Sequence, residues 1–121
     1  MADVTQALKQ GIILLTVAST DDKTTTSGAA RTLETGYITF ASIGAVTAIF
    51  RPFQVWAHLT MIRTAGLTSF FSGTICQGYL SAPNTPFFTG RIPLFPGDEI
   101  QLSVIADVAT TVAATIRFER N

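Results

Sequence analysis

The 121-residue chain is 47% hydrophobic and only 13% charged, with eight Lys and Arg against eight Asp and Glu and a single His. Its length suits one domain. Disorder needs low hydrophobicity and high net charge, and a nucleic-acid binder usually carries a basic stripe or tail. A balanced, dispersed charge set excludes the first and argues against the second. A compact chain of this size exposes on the order of 6,000 Å², and its charged side chains at roughly 100 Å² each cover about a quarter of that. A surface so poor in charge favours association, so copies of the same chain are the first expected partner.

Thr, Val and Ile together fill 37 of the 121 positions, 19 of them Thr. Side chains branched at Cβ suit a pleated, half-buried sheet and lose rotamer freedom in helices, which predicts an all-β chain. Cys76 is the only cysteine, so an internal disulfide and a cysteine-rich metal site are excluded.

In chain order, residues 3–10 form the one good helix candidate. Asp3 and Gln6 are spaced as a capping box, and Gly11 is placed to end the helix. Val4, Ala7 and Leu8 would make a small apolar face, and so short a helix needs a body or a neighbouring subunit to pack on. Residues 1–11 are accordingly assigned to an N-terminal helix or arm, and 12–121 to a single β-sandwich domain. The early Asp3 does not fit the basic start of a secretory signal, and no apolar run reaches the roughly 18 residues of a membrane helix. Neither a cleaved signal nor membrane contact is expected.

Residues 12–18 are apolar on both faces, as in a strand buried on two sides or clamped between subunits. Residues 19–36 are polar and hold five of the sixteen charges; they read as an unusually long connection, either solvated or an arm that contacts something. Residues 37–50 are strand-like, with Gly44 as a bulge or break. The clearest alternation follows, with Phe53, Val55, Ala57, Leu59 and Met61 on one face and Gln54, Trp56, His58 and Thr60 on the other. Residues 67–71 and 74–80 form a pair of strand candidates with Gly73 between them. Residues 82–97 hold four of the five prolines and read as irregular. Ile100, Leu102 and Val104 mark a further strand, and Val112, Ala114, Ile116 and Phe118 the inward face of the last. About eight strands with no second helix pattern predict two antiparallel sheets in a sandwich, and the missing crossover helices exclude a parallel α/β fold.

The chemistry available is sparse. His58 and Cys76 are the only imidazole and the only thiol, so they make the sole Cys/His combination, and a locally bonded His beside an inert buried Cys is the commoner arrangement. Cupin-type metal sites use several His, which one His cannot supply. The carboxylate pairs Asp21/Asp22 and Asp98/Glu99 are adjacent, so their side chains diverge on an extended chain, and Asp98 after Pro96-Gly97 reads as a turn residue. No phosphate-binding Gly-rich pattern occurs. No catalytic residue, metal site or cofactor is expected, and the chain reads as a non-enzyme.

Two apolar features are candidate binding surfaces. Trp56 with His58, Gln54 and Tyr79 would make a stacking platform for a sugar, or Trp56 packs under a loop or between subunits. Phe87 and Phe88, held between Pro86 and Gly90 and followed by Arg91, suit an intersubunit contact, where aromatics and Arg are enriched, or packing on their own sandwich. Residues 64–90 carry no charge at all, which makes them the expected place for a neighbouring subunit.

Residues 91–104, RIPLFPGDEIQLSV, place Pro96 and Gly97 at the central positions of a type II turn between two strands. This element resembles the strand, Pro-Gly-Asp turn, strand unit late in the jelly rolls of tumour-necrosis-factor-like trimers and of viral capsid or decoration proteins. The resemblance implies a jelly-roll-like fold and a homo-oligomer, trimer or higher. It also implies a virion component, whether capsid, decoration or cement protein, or fibre head, bound to itself and to other virion proteins and located in the virion. The absence of a basic arm argues against direct contact with nucleic acid. The expected subunit contacts are Val4, Leu8, Phe87, Phe88 and Arg91. The alternative is a carbohydrate- or ligand-binding module built on Trp56, His58 and Tyr79.

Overall fold

A computed structural model describes residues 10–19, 25–31, 35–45, 54–65, 68–80 and 85–120. Val4, Leu8, Asp21, Asp22 and Phe53 lie outside the described residues. The strands are β1 (Gln10–Ala18), β2 (Thr25–Arg31), β3 (Gly36–Ala45), β4 (Val55–Ala65), β5 (Thr68–Tyr79), β6 (Phe87–Leu94), β7 (Glu99–Ala106) and β8 (Thr111–Arg120). They form two four-stranded sheets, sheet I in the order β1-β8-β3-β6 and sheet II in the order β2-β7-β4-β5. Every pairing is antiparallel. Only β4 and β5 are neighbours both in sequence and in a sheet; the other connections cross between sheets. That order is the jelly roll, two Greek keys in one sandwich.

The alternation seen in the sequence is what fills the core. Val55, Ala57, Leu59 and Met61 of β4 face Ile38, Ala41 and Ile43 of β3 and Val112, Ala114 and Ile116 of β8 across the sandwich, with Ile100, Leu102, Val104 and Ala106 of β7 completing it. All are buried, and each fully buried Leu or Ile contributes about 1.5–3 kcal/mol relative to an exposed one. The sandwich is therefore held from its four central strands outward.

Five local expectations change. Gln10 and Gly11 belong to β1 rather than to the end of a helix. Gly11 sits opposite Phe118, and a Cβ there would run into the Phe118 ring, so the glycine serves a close approach and not a helix stop. The polar 19–36 stretch is not one connection: it contains β2, whose seven residues all pair with β7. Thr, Ser, Gly and Ala show no period-two pattern at this sheet edge, so its strand character comes from the pairing itself. The irregularity of β3 falls at Thr39, where Ile38 pairs with Phe118 but Phe40 pairs with Arg117, and not at Gly44. Residues 74–79 continue one strand with 68–71, and Gly73 pairs regularly with Met61. The register shifts on either side of it, at Ile75, which lies between Cys76 opposite Leu59 and Thr74 opposite Thr60, and at Phe70, which lies between Phe71 opposite Arg63 and Ser69 opposite Thr64. Ile75 and Cys76 are consequently both buried. Finally, the proline-rich 82–97 region contains β6, which tolerates Pro93 because it is an edge strand.

The Phe95 to Asp98 turn has the expected geometry. The Asp98 N–H donates to the Phe95 carbonyl at 3.0 Å and Gly97 has φ of 92°, as a type II turn requires. Asp98 is buried and accepts the Phe95 N–H at 2.8 Å and Arg63 Nε and Nη2 at 3.0 and 2.8 Å. Arg63 also donates to the Pro93 carbonyl at 3.3 Å and lies over the Phe95 ring at 4.6 Å. Burial alone would raise the Asp98 carboxyl, but hydrogen bonds from Arg63 and the Phe95 N–H, with the Arg63 charge, hold it below the usual carboxylate range. The hydrogen bond to Asp98 in turn raises Arg63. This pair clamps β4 of sheet II to the link that carries the chain from sheet I to β7. At the opposite end, Ser19 N–H donates to the Thr110 carbonyl at 2.8 Å, and the Ser19 hydroxyl donates toward the Val108 and Thr110 carbonyls.

Candidate functional site

The side chains that can meet a partner are those pointing away from the core, and strand register places them in rows across each sheet. On sheet II the row through Ile105, Trp56 and Tyr79 is continuous. Trp56 and Tyr79 meet edge to face, with ring centroids 5.0 Å apart and an interplanar angle of 72°. The next row holds Ser27, Ser103, His58 and Gln77. His58 Nε2 lies 2.9 Å from the Thr74 hydroxyl and 3.2 Å from that of Thr60. The structure thus brings Trp56, His58 and Tyr79 onto one outer face, as the alternation predicts. Gln54 precedes β4, where its carbonyl accepts the Asp107 N–H at 3.0 Å.

His58 and Cys76 are not brought together. His58 points outward opposite Gln77, whereas Cys76 is buried opposite Leu59. Burial pushes the Cys76 thiol up to about 11, which disfavours the thiolate that a nucleophile or a metal ligand needs. Asp98 is engaged by Arg63 inside the turn. Among the described residues no three His, Cys, Asp or Glu side chains cluster to hold a metal ion, and no helix there is long and apolar enough to cross a membrane.

Sheet I presents a different outer face. One row runs Leu14, Thr115, Ser42, Phe87, and the next runs Ile12, Arg117, Phe40, Thr89. A third holds Thr16, Ala113 and Gly44. Ile12 and Leu14 are each 65% exposed and Phe87 is 66% exposed. Among the described residues charge on this face appears only towards one end, where the Arg117 guanidinium lies 6.0 Å from the Phe40 ring and Arg91 lies 4.2 Å over Tyr37, which is opposite Glu119 in register. The two phenylalanines part company: Phe88 packs against the core and Phe87 stands out from the face. Arg91 is exposed on the same side. Ile12, Leu14, Tyr37 and Arg117 were not singled out by sequence reasoning. The signal that marks the first two is in the sequence, because every strand of a two-sheet sandwich turns one face outward and a strand apolar on both faces must present apolar side chains there.

No family model and no curated protein matches this chain. Among solved structures, the chain is similar to the VP2 subviral particle of infectious bursal disease virus, with a TM-score of 0.46 and 9% identity over 92% of this chain and 32% of that one. It is also similar to the Gx strain structure of the same virus, with a TM-score of 0.44 and 11% identity over 93% of this chain and 32% of that one. The chain spans about a third of the length of those two proteins.

Proposed function

We infer that the protein is a non-enzymatic structural protein that works by associating with copies of itself, as a component of a virion. The observation that carries this is the outer face of sheet I, where Ile12, Leu14 and Phe87 stand well exposed among small uncharged residues. Burying such side chains against a like surface contributes about 25 cal/mol per Å² of apolar area, and nothing on that face requires a ligand. The virion setting is supported by the jelly-roll strand order, which recurs in capsid domains, lectins and cupins, and by the Pro-Gly-Asp unit at residues 95–98. The cupin branch asks for several imidazoles, and this chain has one. Capsid, decoration and fibre-head roles all remain within this proposal, as do trimeric and higher assemblies and other virion proteins as partners. Sedimentation of the purified chain at micromolar concentration tests the core of it, with assembly expected; a strictly monomeric chain with no partner-dependent assembly overturns it. Immunogold labelling of intact particles tests the setting.

A second proposal is kept by the Trp56 and Tyr79 pair, which a lectin-like site on sheet II would use to stack a sugar ring. Titrating the chain with a glycan panel while following Trp56 fluorescence decides it. Saturable quenching, lost in a folded Tyr79→Ala variant, favours the ligand-binding module, and a flat response removes it.

A further inference from the structure

We propose that the outer face of sheet I is the interface of a two-fold dimer, in which the same face of a second copy lies over it with the dyad running along the strands between β8 and β3. This rests on the self-association proposed above and specifies its face and geometry.

The register fixes what such a dyad brings together. It lays β1 over β6 of the second copy and β8 over β3. Leu14 and Phe87 stand at opposite ends of one row, so each Leu14 meets Phe87 of the second copy. In the middle of that row Thr115 meets Ser42, and one row further Ala113 meets Gly44, small against small. At the charged end Glu119 comes down where Arg91 lies over Tyr37, and Arg117 comes down on Phe40. Every contact is made twice, as an isologous interface demands. Turning the second copy end for end would instead set Glu119 over Thr111 and Arg117 over Ala113, with no countercharge, so the two Glu119–Arg91 pairings favour the first orientation, offset in part by the approach of the two Arg117 side chains near the dyad.

The size is adequate. Four strands at about 4.8 Å spacing and nine residues at about 3.3 Å give a footprint of roughly 19 by 30 Å, near 570 Å² a side before side-chain relief is counted. The two sides together bury roughly 1,100 Å², within reach of what a specific interface needs. Stacked sheets pack about 10 Å apart, which the Leu14 and Phe87 side chains fill at the flanks.

The test is sedimentation equilibrium on the full chain and on five variants, with thermal denaturation confirming that each folds. Leu14→Glu is expected to weaken association at least 30-fold. Glu119→Arg and Arg91→Glu are each expected to weaken it about 10-fold, and the two combined to return it to within about threefold of the parent. The fifth variant carries Leu14→Cys with Phe87→Cys. Between copies the two positions face each other across the roughly 10 Å that separates stacked sheets, too far for a direct disulfide but within reach of a short bifunctional thiol reagent, whereas within one chain they lie three strand spacings apart, roughly 14 Å along the sheet, so treatment with that reagent should give a covalent dimer on a denaturing gel. An assembly unchanged by Leu14→Glu, a double charge exchange that fails to restore association, or the absence of the covalent dimer each overturns the interface and leaves self-association standing. A parent chain that is monomeric overturns both.

Discussion

On sheet II the outward side chains are largely occupied by one another: Trp56 with Tyr79, His58 with two threonine hydroxyls. On sheet I the outward rows of Leu14 and Ile12 keep large apolar groups away from the body of the chain. Both faces come from the same stock of β-branched and small residues, and both obey the same alternation. The difference lies in where each strand ends up. β4 is central, and its outward residues have β5 and β7 on either side. β1 is an edge strand whose outward residues have only β8 beside them. The free backbone edge of such a strand is in addition a template for pairing with another chain, which many proteins blunt with charge, proline or a bulge. β6 carries Pro93 and the irregularity at Gly90 and Arg91, and β5 carries its register shifts at Phe70 and Ile75, whereas β1 runs in unbroken register and uncharged from Gly11 to Ala18.

The largest effect should come from losing both faces at once. Asp98→Ala removes the clamp between β4 and the link from sheet I to β7 and strands the Arg63 guanidinium, at a cost of about 3 kcal/mol, readable in urea denaturation. The pH dependence follows in sign. The folded Asp98 carboxyl is depressed, so its contribution is fully present above the ordinary carboxylate value near 4 and is lost as pH falls through the folded value. Acid titration of the parent should show this loss and Asp98→Ala should lack it. Next in size, Ile12→Ser with Leu14→Ser should weaken association about 30-fold, equivalent to about 2 kcal/mol, while leaving the denaturation midpoint of the monomer nearly unmoved. Trp56→Ala should do the reverse, lowering stability by about 1 kcal/mol through the lost ring contact with association unchanged. Smallest of all, Ser103→Glu on the outer face of sheet II should alter stability by about 0.5 kcal/mol or less and leave sedimentation as it was. A variant set in which sheet II changes disturb assembly and sheet I changes do not would reverse the comparison.

The central strands were legible because their burial alternates: Val55 to Met61 and Ile100 to Val104 are inward as the pattern requires. The edges were not. β2 has no alternation to read, β6 is disguised by Pro93, and the bulges at Thr39 and Ile75 fall away from Gly44 and Gly73, which pair regularly. Trp56, His58 and Tyr79 share one outer face because they share one parity across paired strands. The exposed face of sheet I was only half visible: the doubly apolar run from residue 12 to 18 declared itself, but which half turns outward depends on its register with β8. The described residues of the uncharged stretch from 64 to 90 fall on the end of β4 and on two edge strands, β5 and the first half of β6, one in each sheet. Its lack of charge is shared between two faces rather than gathered on one.

The depth of Cys76 has a practical consequence. With the thiol pushed up to about 11, roughly one molecule in a thousand holds the thiolate at pH 8, and the sulfur is screened from reagents besides. Thiol reagents should therefore modify the folded protein far more slowly than the unfolded chain. A cysteine added at any surface position can be labelled alone, and the native one, silent until the sandwich opens, turns the rate of thiol modification into a direct clock of unfolding.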